Sequence, residues 1–176
     1  MTAPLEGRLR ATIRDVPDFP KPGIVFKDIT PVLADAALFR ATTEAMARPF
    51  ESEGITHVVA IESRGFILGA PISQHLCAGL VLARKRGKLP WQTLREEYAL
   101  EYGTDVLEIH VDALPPRAKA VIVDDVLATG GTAAAVAALV RRAGAELQGF
   151  AFLMELGFLA GRRRLDAARV ETLVEY

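Results

Sequence analysis

The chain has 176 residues, an apolar fraction of 51% and a net charge of −1, which indicate a single domain with one core and no overall field that would attract nucleic acid. No charge-free run approaches the ~18 residues of a membrane span, and the N-terminus lacks the basic and apolar segments of a secretory signal. Cys77 is the only cysteine, so we expect no intramolecular disulfide, a reducing cytoplasmic compartment, and a small buried side chain on a helix at this position.

Two helices are predicted in the first third of the chain. Residues 4–13 carry apolar side chains at every fourth position, which is typical of a short amphipathic helix. Asp35 is a suitable N-cap for a second helix that reaches about Ser52. Pro49 either kinks this helix or ends it, and the sequence does not decide between the two.

The segment between these helices is rich in proline. Residues 16–31 contain Pro17, Pro20, Pro22 and Pro31, which exclude a regular helix, so we predict a rigid loop with one extended piece at 24–26. Rigid extended backbone is suited to reading the edge of a flat base, with Phe26 stacked on its face. A core aromatic in an N-terminal lid would explain Phe26 equally well.

Residues 57–61 predict a buried strand that leads into the turn Glu62-Ser63-Arg64-Gly65 and then into a helix ending near Leu76. A short turn that contains glycine can direct several backbone N–H groups at one anion. Arg64 adds a positive charge at the same point. The turn is therefore a candidate anion site, and the alternative is that Arg64 is only a surface cap.

A basic cluster follows the next predicted strand, residues 80–83. Its members are Arg84, Lys85, Arg86 and Lys88. Residues 87–94 show no clear period and predict a mobile loop, after which 95–102 and 105–111 alternate around Gly103-Thr104. This pattern predicts a hairpin with a two-residue turn, and a hairpin on a mobile stem would make a suitable lid over a site that must exclude water.

Residues 121–132 are the most informative stretch. An apolar β-branched run ends in Asp124 and Asp125, followed by the turn Ala128-Thr129-Gly130-Gly131-Thr132 and an alanine-rich helix over 133–142. Ligands of open α/β sheets bind at the carboxyl ends of strands, and a glycine turn at a helix N-terminus binds phosphate. We expect a surface turn that holds one phosphate. The P-loop lysine and the dinucleotide fingerprint are both absent.

The two aspartates indicate that this phosphate belongs to a sugar. Successive side chains of a strand point to opposite faces, so Asp124 and Asp125 are poorly placed to share a metal. They are better placed to accept hydrogen bonds from two neighbouring hydroxyls, or to steady nearby loops. Further strands are predicted at 150–156 and, at a sheet edge, 170–174. We interpret the intervening basic triplet Arg162–Arg164 as solvated surface.

The 121–132 string resembles the phosphoribosyl pyrophosphate (PRPP) binding motif of type I phosphoribosyltransferases. Four further segments are similar to those of the adenine phosphoribosyltransferases: 17–31, 61–66, 84–90 and 98–103. The resemblance implies one α/β domain over 1–176, with a mostly parallel sheet flanked by helices. It also implies an N-terminal hood (residues 1–34) and a flexible lid hairpin (residues 87–111). Trp91 departs from the residues common in the family, which leaves the packing of the lid hairpin open.

The resemblance further implies the reaction of adenine with PRPP to give AMP and pyrophosphate, the first step in reusing free adenine. Mg²⁺ would be bound mainly through PRPP rather than directly by side chains. Basic loop residues of this family can reach a neighbouring subunit, so a homodimer is expected, with neither nucleic acid nor a membrane as a partner.

The roles implied for individual residues fall into four groups. The PRPP phosphate and ribose would be held by Asp124, Asp125, Ala128, Thr129, Gly130, Gly131 and Thr132. The pyrophosphate would be held by Glu62, Ser63, Arg64, Gly65, Arg84, Lys85 and Lys88. Adenine would be bound by Val25, Phe26 and Lys27 of the hood. Catalysis would depend on Arg64 and on Glu101, which would share or donate a proton near N7 of the base, with Tyr102 beside it in the lid.

Ala128 favours adenine over other bases. The 6-oxopurine transferases usually carry an aspartate at this position, and Ala128 has no group that could replace it. The remaining alternatives are a transferase for 6-oxopurines, xanthine or orotate, and a non-catalytic regulator that senses PRPP. A regulator would need a DNA-binding module or basic face, which residues 1–30 do not supply.

Overall fold

A computed structural model of the protein describes residues 4–99, 103–165 and 169–176. The helices are α1 Leu5–Thr12, α2 Thr30–Ala34, α3 Ala36–Ala47, α4 Arg64–His75 and α5 Gly131–Arg142. The strands are β1 Arg14–Pro17, β2 Val25–Asp28, β3 His57–Ile61, β4 Gly79–Lys85, β5 Thr93–Ala99, β6 Thr104–His110, β7 Lys119–Leu127, β8 Glu146–Glu155 and β9 Val170–Glu175. Short 3₁₀ helices cover Arg48–Phe50, Gly157–Leu159 and Gly161–Arg164.

The central sheet has the strand order β5-β6-β4-β3-β7-β8-β9. The four pairs from β4 to β9 are parallel, whereas β6 pairs antiparallel with both β4 and β5. The predicted α/β domain with a mostly parallel sheet is therefore confirmed, and β9 is an edge strand as expected. Parallel pairing requires long crossover connections, which α4 and α5 supply.

Strand β7 is buried on both faces and divides the core into two parts. Ala120 and Ile122 pack in a cluster that includes the α5 residues Val136 and Leu139. Val121 and Val123 face the other cluster, built with α1, α3 and α4. Full burial of one such β-branched side chain contributes about 1.5–3 kcal/mol, so the continuous apolar run of β7 is explained by its central place in the sheet.

The N-terminal segment differs from the predicted loop. β1 and β2 form a separate antiparallel pair with Val16 opposite Phe26, because extended residues on both sides of the prolines hydrogen-bond to each other. The Asp35 cap is confirmed, since its side chain accepts from the amides of Ala37 and Leu38. Pro49 is found in a 3₁₀ helix directly after α3 ends at Ala47.

Three further expectations are corrected. Cys77 is exposed and has φ 51° just beyond α4, because the chain reverses there to enter β4. Thr104 lies in β6 opposite Ala99, so the turn is longer than the two residues predicted. The strand after residue 121 continues to Leu127, which puts Asp124 and Asp125 inside β7 rather than beyond its end.

Within the described ranges, no helix combines the length and apolar character needed to cross a membrane.

Candidate active site

The candidate site begins where β3 ends beside the two aspartates of β7. These neighbouring strands run parallel with Ala60 opposite Val123, so the turn after β3 lies next to Asp124 and Asp125, which are followed by the last two residues of β7. Gly65 makes this approach possible. A Cβ built at Gly65 would lie 2.8 Å from the Val123 carbonyl oxygen and 2.9 Å from Oδ1 of Asp124, distances that real Cβ contacts do not show.

A cavity of about 570 Å³ opens above this edge. Its lining residues come from the turn after β3, the basic end of β4, the hairpin and β7: Glu62, Ser63, Arg64, Lys85, Tyr98, Asp105, Leu107, Asp124, Asp125, Val126 and Thr132. The volume falls within the range of small-molecule sites. The structure thus brings together the turn at 62–65, the basic cluster and the aspartate pair, which the sequence predicted separately.

Arg64 is the junction between these parts. Its Nε lies 2.9 Å from Oδ2 of Asp125, and its guanidinium carbon lies 4.9 Å from the centre of the Phe26 ring. One side chain therefore contacts both the acidic strand end and the hood. With 34% of its surface exposed, it is neither an isolated surface cap nor fully committed to the core.

The two aspartates are held in unlike environments, as alternation along a strand requires. Asp125 is 2% exposed. Burial raises its pKa, and the charge of Arg64 opposes that rise. Asp124 remains partly accessible from the cavity. Loss of hydration among the surrounding protein atoms nevertheless raises its pKa well above the usual range, and the charge of Asp125 raises it further. Oδ1 of Asp124 accepts a hydrogen bond from the Asp125 amide at 2.9 Å.

Residues 128–132, the phosphate cradle, wrap around a smaller hollow of about 130 Å³. Gly130 has φ 80° at the N-cap of α5, which begins at Gly131, and this left-handed conformation favours glycine. Thr129 and Thr132 line the hollow with Asp124. Backbone donors, hydroxyls and a helix N-terminus around a small hollow are the arrangement that binds a phosphate group.

The expected surface location of this turn is wrong. Gly130 is buried, and a Cβ at this position would collide with the carbonyl oxygen of Gly161. The 3₁₀ segment Gly161–Arg164 covers the outer side of the phosphate cradle. Replacement of Gly130 would therefore displace backbone as well as obstruct the hollow.

The basic cluster divides into residues with different surroundings. Arg84 donates to both carboxylate oxygens of Glu62, at 3.2 and 3.4 Å, and to the carbonyl of Lys88 at 3.0 Å. Glu62 also accepts from the backbone amide of Lys85. Glu62 and Arg84 thus hold the two turns together. Lys85 lines the cavity, where its Nζ lies 3.3 Å from Asp105, and Lys88 is exposed.

The stem of the lid hairpin supplies cavity residues that sequence analysis missed. Tyr98 and Asp105 are opposite each other in the hairpin register, with the Tyr98 hydroxyl 3.4 Å from Asp105. The predicted two-residue turn would have paired Tyr98 with Ile109, so the sequence predicted the hairpin but not the register that brings Tyr98 and Asp105 together. Glu101 and Tyr102 lie outside the described residues, so the proposed proton-handling group is not located.

Contacts of Glu108 and Arg142 help to fasten the stem to the basic turn and to α5. Glu108 is 1% exposed and accepts from the Gly87 amide at 3.1 Å, while Nε of Arg95 lies 2.8 Å from its other oxygen. On the helix side, Arg142 at the end of α5 donates to the Arg95 carbonyl at 2.6 Å and to Glu96 at 2.7 Å. The stem is thus attached to both the basic turn and α5.

The hood presents its aromatic side chain toward Arg64. Phe26 packs edge to face against Phe19, with ring centres 5.2 Å apart. Nζ of Lys27 lies 2.6 Å from Asp15 and 3.8 Å from the centre of the Tyr176 ring, so its side chain is occupied away from the cavity. Val25 is 51% exposed. Only backbone groups of Lys27 remain for a ligand, in keeping with the predicted use of backbone to read a base.

Among the residues that the structure describes, no group of three or more His, Cys, Asp and Glu side chains could hold a metal ion. Asp124 and Asp125 are the carboxylates beside the phosphate cradle, and Asp125 already faces Arg64. A hard cation such as Mg²⁺ is often held by one or two carboxylates plus substrate phosphates, and this donor set fits such a mode.

Comparison with known proteins gives consistent matches over almost the whole chain. Residues 29–173 match the model of the phosphoribosyl transferase domain. The adenine phosphoribosyltransferase of Anaeromyxobacter dehalogenans is 57% identical over 168 residues, which cover 96% of this chain and 98% of the relative.

Solved structures agree with this. The crystal structure of adenine phosphoribosyltransferase from Rhodothermus marinus superposes with a TM-score of 0.94 at 55% identity, covering 98% of each chain. The Saccharomyces cerevisiae enzyme, in complex with an iminoaltritol bisphosphate and adenine, superposes with a TM-score of 0.92 at 39% identity, covering 96% of this chain and 98% of that one.

The opposite pKa shifts of two cavity aspartates predict opposite effects of neutralisation. The folded protein raises the pKa of Asp124, so ionisation of this group above its unfolded pKa destabilises the fold, and Asp124→Asn should raise Tm at pH 7. Hydrogen bonding by the Val106 amide and the charge of Lys85 lower the pKa of Asp105, so Asp105→Asn should lower Tm. Each kcal/mol corresponds to about 2–4 °C in a domain of this size.

The pH dependence supplies the check. Well below the ordinary pKa of 3.8 both carboxyls are protonated in the unfolded chain, so the gain from Asp124→Asn should be small there and should grow as pH rises through that pKa toward 7. Thermal melts of the ligand-free protein at pH 3, 5 and 7 measure this. A lower Tm for Asp124→Asn throughout that range would contradict the proposed desolvation of Asp124.

Proposed function

The chain belongs to the phosphoribosyl transferase family, and within it to the adenine phosphoribosyltransferases, and from this premise we propose how its residues catalyse the reaction. The 5-phosphoribosyl group passes from PRPP to N9 of adenine, which gives AMP and pyrophosphate. The bond between N9 and the anomeric carbon forms as the bond from that carbon to the pyrophosphate oxygen breaks. Positive charge develops on the sugar during this displacement, and the protein must position both reactants, stabilise the leaving group and handle one proton.

The observation that carries the proposal is the position of Arg64. It lines the cavity together with Lys85 and with Asp125 of β7, to which it is paired, and it also contacts the Phe26 ring of the hood. The hollow of the phosphate cradle shares Asp124 and Thr132 with this cavity, so a substrate with a phosphate, a sugar and a pyrophosphate would meet the corresponding groups in adjoining spaces. If the basic turn, the aspartate pair and the hood served three unrelated sites, there would be no reason for them to meet at one arginine.

We assign the 5′-phosphate to the phosphate cradle. Its backbone amides and the hydroxyls of Thr129 and Thr132 would donate to the phosphate oxygens, and the N-terminus of α5 would favour the negative charge. Ala128, Gly130 and Gly131 would bring the backbone close. Asp124 and Asp125 would accept hydrogen bonds from the two ribose hydroxyls. Burial raises the pKa of both aspartates. Hydroxyl donors and a nearby cation would act in the opposite direction, because they favour the charged form of a carboxyl group.

We assign the pyrophosphate to the turn at 62–65 and to the basic cluster. Amides of Ser63 and Gly65 and the side chains of Arg64 and Lys85 would face the leaving group, with exposed Lys88 able to approach it. Glu62 and Arg84 would hold the turn and the cluster in place through their own hydrogen bonds. Mg²⁺, held mainly by PRPP oxygens, would neutralise part of the charge that develops on pyrophosphate.

We assign adenine to the hood. Phe26 would stack on the ring while backbone groups of Val25 and Lys27 bond its edge, since the Lys27 side chain is engaged by Asp15. Adenine carries an amine donor beside the N1 acceptor, whereas hypoxanthine and guanine present the reverse pattern. Glu101 is proposed to handle the proton near N7 as N9 attacks, with Tyr102 beside it in the lid hairpin.

We further propose a homodimer located in the cytoplasm. Ile67 of α4 and the β4 residues Leu80 and Leu82 are 43%, 40% and 37% exposed. These apolar side chains lie on two elements that pack against each other, a pattern found at subunit interfaces. The single cysteine is compatible with a reducing compartment.

The base preference is the direct test of the proposed function. Purified protein supplied with PRPP and Mg²⁺ should convert adenine to AMP, with a kcat/KM for hypoxanthine or guanine lower by ~10⁴-fold or more, because a site built for one hydrogen-bond pattern leaves its groups unpaired with the other. Comparable turnover of an oxopurine would contradict the assignment of the hood. Absence of turnover with every base while PRPP still binds would instead support a sensor.

The proton-handling role of Glu101 can be separated from a general effect on the lid hairpin. Glu101→Gln should lower kcat by ~10²–10⁴-fold, the usual size of a general acid–base contribution. Glu97→Gln, in an exposed residue on β5 of the same hairpin, is the matched control and should leave kcat unchanged. A near-normal kcat for Glu101→Gln would exclude the proposed role.

The dimer surface makes a separate prediction about assembly. Leu82→Asp places a charge in the exposed apolar cluster and should shift sedimentation from dimer to monomer at micromolar concentration. Trp91→Ala removes another exposed apolar side chain, 64% exposed and outside this cluster, and should not. A monomeric wild-type protein, or a dimeric Leu82→Asp variant, would count against this interface.

A further inference from the structure

The outer wall of the phosphate cradle is built from the 3₁₀ segment Gly161–Arg164, in which Gly161 is buried while the basic triplet is exposed as expected. Gly161 is buried, and a Cβ built on it would collide with the Ala128 carbonyl oxygen and lie 3.0 Å from the Gly130 nitrogen. The φ of Gly161 is outside the left-handed range, so any L-residue could adopt its backbone conformation. Glycine is needed at this position because a Cβ would not fit against the phosphate cradle, and not because of its backbone conformation.

The next residue fixes this segment to the sheet. Arg162 makes three contacts: Nε lies 2.6 Å from Glu155, one terminal nitrogen donates to the Val170 carbonyl at 2.9 Å, and the other donates to the Thr172 hydroxyl at 3.2 Å. Each guanidinium nitrogen is thereby engaged by β8 or β9. The planar, rigid fork of arginine suits such a three-point attachment in a way that lysine does not.

The burial of Glu155 indicates that its ion pair with Arg162 is a fixed contact rather than an incidental one. The Glu155 side chain is 4% exposed, while Arg162 keeps 45% of its side chain exposed. A buried carboxylate is costly unless it is paired, so Glu155 strongly favours the position that Arg162 occupies. Leu165, 3% exposed, anchors the far end of the segment in the α5 side of the core.

Glu155 also lies at the root of the phosphate cradle. It is opposite Leu127 in the β7–β8 register, and the amide of the next residue, Leu156, donates to the Leu127 carbonyl at 2.9 Å. The phosphate cradle starts directly after Leu127. The inner end of the phosphate cradle is thus held by β8, and its outer side is held by Gly161. Arg162 connects these two supports, because it follows Gly161 in the chain and pairs with Glu155 of β8.

We propose that Gly161 and Arg162 are positioning residues for the phosphate cradle, which they hold in the conformation that binds the 5′-phosphate of the substrate. Neither residue is assigned a contact with the reacting atoms. The inference rests on the proposed function, in that residues 128–132 must be the 5′-phosphate site. It accounts for a buried carboxylate and a buried glycine that the proposed mechanism does not otherwise use.

The chain offers a matched control for Gly161. Gly157 lies in the preceding 3₁₀ helix, also has φ outside the left-handed range, and a Cβ there would meet the end of the Glu175 side chain. That side chain can move aside, whereas the backbone of residues 128–130 can move only by altering the phosphate cradle. Arg169 is the control for Arg162, since its side chain is 41% exposed and pairs with Glu53 and Glu171.

The experiment measures binding of two ligands that use different ends of the cavity. Gly161→Ala should weaken binding of ribose 5-phosphate and raise KM for PRPP by about 10- to 100-fold, as expected for a small misplacement of positioning groups. The dissociation constant for Mg²⁺-pyrophosphate should stay within about twofold of wild type. Gly157→Ala and Arg169→Ala should match wild type for both ligands. A merely structural defect would weaken both ligands together.

A second pair of variants guards against a folding defect. Arg162→Gln combined with Glu155→Gln removes both charges and retains Gly161, and it should weaken ribose 5-phosphate binding selectively, while Arg162→Lys should show a smaller loss. Selective loss in either Gly161→Ala or the double variant supports the proposal. Unchanged ribose 5-phosphate affinity in the folded variants, or equal loss of both ligands, overturns it. Failure of wild-type protein to bind ribose 5-phosphate would instead refute the proposed phosphate site.

Discussion

The parallel pairing of β3 with β7 is the constraint on which the site depends. Both strands enter the sheet in the same direction, and their register fixes the turn after Ile61 beside Asp124. The spacing is closer than most side chains allow, which is why Gly65 is required where the turn passes β7. Neither turn alone encloses a substrate-sized space, but two strand ends in contact define the floor of one cavity, and every other element adds a wall to it.

The charged groups on the floor of the cavity are arranged in a way that suits binding of a ligand. Two adjacent carboxylates on a buried strand oppose stable folding. Arg64 offsets only part of that cost, because it pairs with Asp125 while burial and the charge of Asp125 still raise the pKa of Asp124 despite the charge of Arg64. Proteins often retain such unfavourable groups where a ligand later pairs with them. Around the cavity the basic residues are likewise paired with acids: Arg84 with Glu62 and Lys85 with Asp105. These basic groups are therefore held by acidic partners before any substrate binds.

Periodicity and turn chemistry predicted most of the fold. The β3 bounds and the Asp35 cap agree with the structure because short apolar runs and N-caps depend on local sequence. The partnership of β1 with β2 was missed, since no local signal records that residues on the two sides of a proline-rich loop will pair. The end of β7 was placed too early because aspartates are rare in strands, and here tertiary packing overrides that preference.

For the site, the sequence indicated which segments carry polar chemistry but not which groups contact each other. Arg84 and Lys85 are indistinguishable by composition, yet one holds Glu62 and the other lines the cavity. The triplet Arg162–Arg164 is exposed, as expected, but its sequence did not reveal that Arg162 pairs with Glu155 of β8. Long-range pairs of this kind depend on the register of β8 and β9, which no single segment encodes.

The attachment of Arg142 to Arg95 and Glu96 also determines how the entrance to the cavity can work. Because the end of α5 is bonded to this part of β5, and Glu108 ties the base of β6 to Gly87, the proximal half of the hairpin belongs mechanically to the body of the domain. A rotation of the hairpin about the start of β5 would have to break both attachments. Any movement that left them intact would be confined to positions beyond Glu96 and would not disturb α5, whose opposite end forms the phosphate cradle.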